Sequence, residues 1–264
     1  MNTLRIQTII DKEWAEVFKN RLVLFIVLAL PLLLTVLPLA ILAGAPGLTA
    51  PDGNISDLPP SMLRACGPLT PGECLQVYIV NQFLTLFMIM PLFIPITIAA
   101  YSVVGEKTTR SLEPLLATPI TTEELLAGKG LAAVIPAVLA TWLGFAIFVA
   151  GVLLLRAPPA VVLNLFSPTW LLAIFVVGPL ISVLAVNFAL IVSSRVNDPR
   201  VAEQISGVLV VPIIALVFAQ LAGFIIVNLQ LMFVAILLLL IIDVALVYVG
   251  ARLFQRETIL TRWK

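Results

Sequence analysis

The sequence predicts an all-α polytopic membrane protein: six transmembrane helices, an N-terminal interfacial amphipathic helix, and a short helical segment between spans two and three. Three observations lead there. The 264 residues are 61% hydrophobic and only 11% charged, whereas soluble domains carry about a quarter charged residues. Mean hydropathy is +1.16, and several apolar runs reach the ~20 residues that a helix needs to cross a bilayer. Most of these runs lack the polar face that a soluble helix keeps toward water.

The spans are expected at 22–43, 77–104, 130–155, 170–193, 207–227 and 231–253. Pro91 and Pro95 fall inside the second and Gly178-Pro179 inside the fourth, so both should be kinked, because proline lacks the N–H that the helix ladder uses. Little more than Asn228, Leu229 and Gln230 separates the last two, which predicts a tight helical hairpin.

Positive charge sets the orientation. With both termini inside, thirteen of the 15 Lys and Arg residues face the cytoplasm, and only Arg64 and Arg156 lie outside. That is a strong positive-inside bias. It places residues 105–129 on the cytoplasmic side and 44–76 outside.

Residues 1–21 are too long and too acidic (Asp11, Glu13, Glu16) for the leading region of a signal peptide, and the apolar run that follows exceeds a signal core. Ile6, Ile10, Trp14, Val17 and Phe18 share one helical face opposite Arg5, Asp11, Lys12, Glu16 and Lys19. This pattern describes an amphipathic helix lying in the membrane interface; the alternative is a solvated tail. The outside loop 44–76 is rich in Pro and Gly and holds both cysteines, Cys66 and Cys74. An extracytoplasmic setting permits a disulfide between them, and unpaired thiols in a flexible loop are the other reading.

Much chemistry is missing. The chain has no histidine, which removes zinc-protease motifs and serine–histidine pairs together. No metal site is expected, and no basic stripe with interleaved aromatics suggests nucleic acid. Gly128-Lys129 has the last two residues of a Walker A loop, but Glu123 stands at its first glycine and Gly130 at its Ser or Thr. ATP is therefore not bound by that device. Asp243 is the one acidic residue well inside a span. A carboxylate there is costly unless paired, hydrated or protonated, so it is an intramembrane candidate for function or for a structural hydrogen bond. Asn81, Gln82, Asn187 and Gln220 could line a pathway or glue helices together.

The segment "GEKTTRSLEPLLATPITTEELLAGK", 105–129, is the most charged run in the middle of the chain. Glu106, Lys107 and Arg110 hold the exit of span two in water. Ser111 is a good N-cap with Pro114 in the first turn, and Leu112, Leu115 and Leu116 share one face. Pro119 stops that helix. Thr121 or Thr122 then caps a second one, with Glu123 and Glu124 in its first turn, which runs through Lys129 into span three. A surface helix resting on headgroups would satisfy this pattern; so would a docking element with an apolar face for a partner's groove.

These residues carry a resemblance. "SLEPLL" at 111–116 and "LLAGK" at 125–129 resemble the cytoplasmic segment after the second span of type-2 ATP-binding-cassette permeases, and "KEWAEVFKNRLVLF" at 12–25 is similar to their interfacial helix. With six spans and both ends inside, the likeness covers essentially the whole chain, which then forms a single transmembrane permease domain. It implies a permease of an ABC exporter in a prokaryotic plasma membrane, partnered by ATPase subunits and by a second permease chain, the same or different. ATP and Mg would be bound by the ATPase partner. It also implies that the segment is a coupling helix: Leu112, Leu115 and Leu116 would be the buried contacts, and Glu106, Lys107, Arg110 and Glu113 would set orientation. Ser111 stands where the family often has threonine. An ATP-independent secondary transporter or channel would instead show inverted repeats or more intramembrane charge. A subunit passing ATPase motion to an outside partner without moving cargo would need a larger outside surface than 44–76 offers.

Overall fold

The computed structural model describes residues 3–19, 21–44, 68–108 and 121–253. Regular structure among them is entirely helical: α1 (Thr3–Val17), α2 (Arg21–Gly44), α3 (Pro71–Phe87), α4 (Met90–Thr108), α5 (Thr122–Leu154), α6 (Pro159–Leu165), α7 (Pro168–Leu172), a π-helical turn (Ala173–Val177), α8 (Gly178–Arg195), α9 (Pro199–Ser206), a 3-10 turn (Gly207–Val210), α10 (Val211–Leu221) and α11 (Leu229–Leu253). Six stretches are long and apolar enough to cross a membrane, as expected: Val23–Gly44, Pro71–Glu106, Glu123–Leu154, Pro159–Arg195, Pro199–Leu221 and Leu229–Leu253.

The prolines act where the sequence places them. Pro91 has no N–H for the carbonyl of Phe87, and α3 ends at Phe87, two residues before α4 begins. Pro95 likewise leaves the carbonyl of Pro91 without a donor from its own helix. The Ser182 hydroxyl of span four supplies one at 2.8 Å. In span four the ladder widens into the π turn just before Gly178-Pro179. Such a turn absorbs an irregularity without breaking the helix.

Several boundaries differ from expectation for local reasons. Span two starts at Pro71, because Thr70 and Glu73 form a reciprocal cap around it. Span five starts at Pro199, where Asp198 accepts from the N–H of Arg200 at 2.8 Å. Its helix stops at Leu221 rather than running to 227. Gly223 adopts the left-handed conformation (φ 75°), and the Phe224 and Gly223 amides bond back to Ala219 and Gln220, both at 2.9 Å, the usual glycine C-terminal motif. The hairpin to span six is therefore a connection over 222–228, longer than predicted. Asn228 caps the start of α11 by accepting from Leu231 N–H at 2.9 Å.

Spans two, three and four supply most of the core. Phe87, Met90, Ile94, Ile96 and Ile98 of span two are buried, with Phe148 of span three and Ile174 of span four. Phe87 and Phe148 pack with ring centroids 5.7 Å apart. Span six turns Phe233, Val234, Leu237 and Val244 outward, an apolar surface that suits lipid.

Helix α1 departs most from its predicted setting. Its buried stripe is Ile9, Glu13 and Val17, not an apolar face resting on headgroups alone. Phe18 is exposed. The stripe packs against α5, and the reason lies in Glu13 and its partners.

Candidate functional site

Glu106 closes span two, and Lys129 lies two turns into α5. Between them runs the segment that the sequence singled out. Both side chains are buried, Glu106 at 3% and Lys129 at 4% exposure, and Glu106 Oε2 lies 2.9 Å from Lys129 Nζ. That approach is a close ion contact without hydrogen-bond alignment. Lys129 donates aligned bonds to Glu13 Oε1 of α1 at 2.6 Å and to Ser102 Oγ of α4 at 2.8 Å. The ammonium thus makes two hydrogen bonds and one ion contact, to three residues on two elements, α1 and α4.

A second lysine completes the cluster from the outer edge. Lys12 donates to Glu106 Oε1, with Glu16 Oε1 at 3.7 Å and Glu13 Oε1 at 4.0 Å. Burial acts to lower its pKa, but the hydrogen bond and charge of Glu106, with Glu13 and Glu16, outweigh that and raise it above 10.5. Lys12 therefore stays charged at neutral pH. Glu13 and Glu106 oppose Lys12 and Lys129 in a neutral quartet, which is what makes burial tolerable, since an isolated buried charge costs several kcal/mol.

The start of α5 is tied to α1 a third way. Thr121 accepts from Glu124 N–H at 3.2 Å while Glu124 accepts from Thr121 N–H at 3.1 Å. Of the two threonines offered by the sequence, Thr121 is thus the cap. The same Glu124 carboxylate sits 3.4 Å from the Arg5 guanidinium. Trp14 Nε1 donates to the Ala132 carbonyl at 2.9 Å. Between these ties, α1 comes so close to α5 that a Cβ added at Gly128 would stand 2.7 Å from Ile9 Cγ2. The Gly-Lys pair that mimicked a phosphate loop has another use: glycine admits the helix and lysine holds it.

Among the predicted site residues, the structure thus places Glu106 in a buried junction rather than at a hydrated exit. Lys107 lies in the last turn of α4. Arg110, Ser111, Leu112, Glu113, Pro114, Leu115, Leu116 and Pro119 lie outside the described residues. Near the start of α3, Cys74 is buried and disulfide-bonded, and its expected partner Cys66 lies outside the described residues. Asp243 is buried on span six.

A family model described as "ABC-2 family transporter protein" matches residues 7–253, a stretch that includes most of α1, the residues of the junction and all but the first few described residues. The chain belongs to the ABC-2 transporter family. No curated protein matches it. As an ABC-2 family component with multiple membrane-capable helices, it is a multi-pass integral membrane protein of the permease type. Membrane subunits of the ABC-2 family in general work with an ABC ATPase and are not ATPases themselves.

Sequence reasoning missed Lys12, Glu13, Ser102 and Lys129 as one constellation. A signal did exist: Glu13 falls four residues from both Ile9 and Val17, so a charge sits on the stripe that should be apolar. Glu203 was also missed. It is at the middle of α9 and accepts from the Thr97 hydroxyl of span two at 2.6 Å, tying the start of span five to span two. The polar span residues sort differently. Asn81 Oδ1 accepts from Asn164 Nδ2 at 2.7 Å and Trp170 Nε1 at 2.9 Å, so it is glue between span two and the first part of span four. Asn187 bonds within its own helix, to the Val183 carbonyl at 2.9 Å.

Proposed function

We propose that this chain is the permease subunit of an ABC exporter, moving its cargo with ATP energy delivered by separate nucleotide-binding subunits. ATP and Mg would bind on those subunits, and a second permease chain would complete the pathway. The setting would be a prokaryotic plasma membrane with both termini in the cytoplasm, as the positive charges argue, and Cys66 would pair with Cys74 outside.

One observation carries the coupling part of this reading: the buried Glu13–Lys129–Glu106 junction at the base of residues 107–128. A push on a helix at 111–116 reaches its two flanking spans through a base that is clamped and backed by α1. Without the clamp, the same push would be absorbed by bending at the two exits. Leu112, Leu115 and Leu116 would supply the apolar face that seats in the ATPase, and Glu106, Lys107, Arg110, Ser111, Glu113, Pro114 and Pro119 would shape and orient the segment.

The test replaces Leu115 and Leu116 together with aspartate in the full complex. Insertion in the membrane is expected to be normal while the ATPase no longer co-purifies or no longer drives transport. Wild-type coupled transport by the double variant would overturn the docking role.

A further inference from the structure

Span six touches the rest of the molecule along a narrow seam. Of the residues in Leu229–Leu253, only Met232, Asp243 and Gly250 are buried, and Ile236, Leu239 and Leu253 pack against the core beside them. Positions 232, 236, 239, 243, 250 and 253 follow the alternating four- and three-residue spacing of a helix–helix seam. Every other place on it is taken by an apolar residue or glycine. The carboxyl at 243 stands where a hydrophobe would pack without cost.

Asp243 is 6% exposed, and neither Oδ1 nor Oδ2 has a hydrogen-bond partner. Among the described residues, no cation faces it either. The elements packed against α11 are chiefly α8, the π turn, α7 and α5. The π turn and α7 contain no charged residue, α8 has only Arg195 at its last position, and α5 has only Glu123, Glu124 and Lys129 near its cytoplasmic start. Lys129 is already held by Glu13 and Glu106. On α11 itself, Tyr248 is covered by Arg252, whose guanidinium carbon lies 4.4 Å from the ring centroid. At a rise of ~1.5 Å per residue, Arg252 is roughly 13 Å along the axis from Asp243. Among the described residues no group of three or more His, Cys, Asp or Glu could hold a metal ion.

An ionised carboxylate so placed would keep its full desolvation penalty with nothing to offset it. The neutral acid loses far less. We propose that Asp243 is a proton-binding site inside the bilayer, occupied in this packed arrangement and in exchange with water. When water reaches the seam between spans four and six, the proton passes to water and a negative charge appears on the seam. The π turn that packs on span six is one place where span four departs from regular α-helix, and such turns often accompany functional sites. This inference does not depend on the ABC exporter reading, because it concerns the protonation of the chain alone.

The experiment is infrared difference spectroscopy of the full-length chain in lipid vesicles at about pH 7, far above the ordinary Asp pKa of ~3.9. Wild type is compared with Asp243→Asn and Asp243→Glu. Wild type should show the C=O stretch of a protonated carboxyl. That band should vanish in Asp243→Asn, move but persist in Asp243→Glu, and shift within minutes when D2O replaces water. A wild type without the band would overturn the proposal, since the group would then be ionised and held by a bound cation. A band that stays unshifted overnight in D2O would also overturn it, because a sealed structural hydrogen bond behaves that way.

Discussion

Glu106 and Lys129 flank residues 107–128, yet their side chains meet at 2.9 Å in the protein interior. The contact joins the last residue of span two to the beginning of the helix that becomes span three. Glu13 of α1 completes it at 2.6 Å. Helix α1 is thereby tied to both flanking spans at once.

Removing the lysine tests the clamp. Lys129→Met should leave Glu13 and Glu106 buried with only the partly exposed Lys12 to offset them, at a cost of about 3 kcal/mol. Thermal unfolding in detergent would read this as a clear loss of stability. The added change Glu13→Gln should recover part of it, since one stranded charge is then gone. An unchanged midpoint in Lys129→Met would show that the junction is hydrated in solution.

Gly128 is tested by size. Gly128→Ala sets a Cβ 2.7 Å from Ile9 Cγ2 and 2.8 Å from Ile9 Cβ, atoms near the backbone that cannot swing aside. Overpacking of this kind costs about 1–3 kcal/mol. The combination with Ile9→Ala should be less harmful than the sum of the two single changes, and a double-mutant cycle measures that coupling.

Ser182 and Pro95 form a pair whose effects should cancel. Ser182→Ala removes the donor to the Pro91 carbonyl, leaving a buried acceptor unsatisfied at about 1–3 kcal/mol. Pro95→Ala would give that carbonyl an N–H from its own helix. Stability of Ser182→Ala should therefore be partly restored by Pro95→Ala, and additive losses would count against this account.

Arg156 offers a stabilising change. Its φ of 53° lies in the left-handed region. The Ala157 amide bonds to the Val152 carbonyl at 3.2 Å and the Arg156 amide to Leu153 at 3.0 Å, the arrangement that normally ends in glycine. Relief of ~1–2 kcal/mol of backbone strain, less the extra freedom glycine has when unfolded, leaves a net gain of about 0.5–1 kcal/mol for Arg156→Gly. A raised unfolding midpoint is the expected result; a lowered one would mean that the guanidinium contributes more than its backbone costs.

Much of this was legible because it is local or one-dimensional. Six apolar runs of bilayer length, the break at Pro91, the irregularity before Pro179 and the cap ahead of Glu124 each follow from residues adjacent in the chain. The charge distribution predicts an orientation in the same way. Misplaced boundaries had local causes as well: Gly223 was treated as span interior, although a glycine followed by a bulky residue is the pattern of a helix end.

What the chain alone determined was an all-helical architecture with six stretches long and apolar enough to cross a membrane. What only the tertiary structure decided was how charges far apart in sequence neutralise one another. Glu13, Glu106 and Lys129 each look like surface charges when read singly. Folding brings them together, and burial then makes each depend on the other two. Asp243 shows the reverse: its place inside an apolar span is visible in the sequence, but its burial on a seam, with neither oxygen hydrogen-bonded among the described residues, depends on which helices close over it. Periodicity determines which face a residue occupies. Only packing determines what that face meets, and for a charge in low dielectric the neighbour sets the energy.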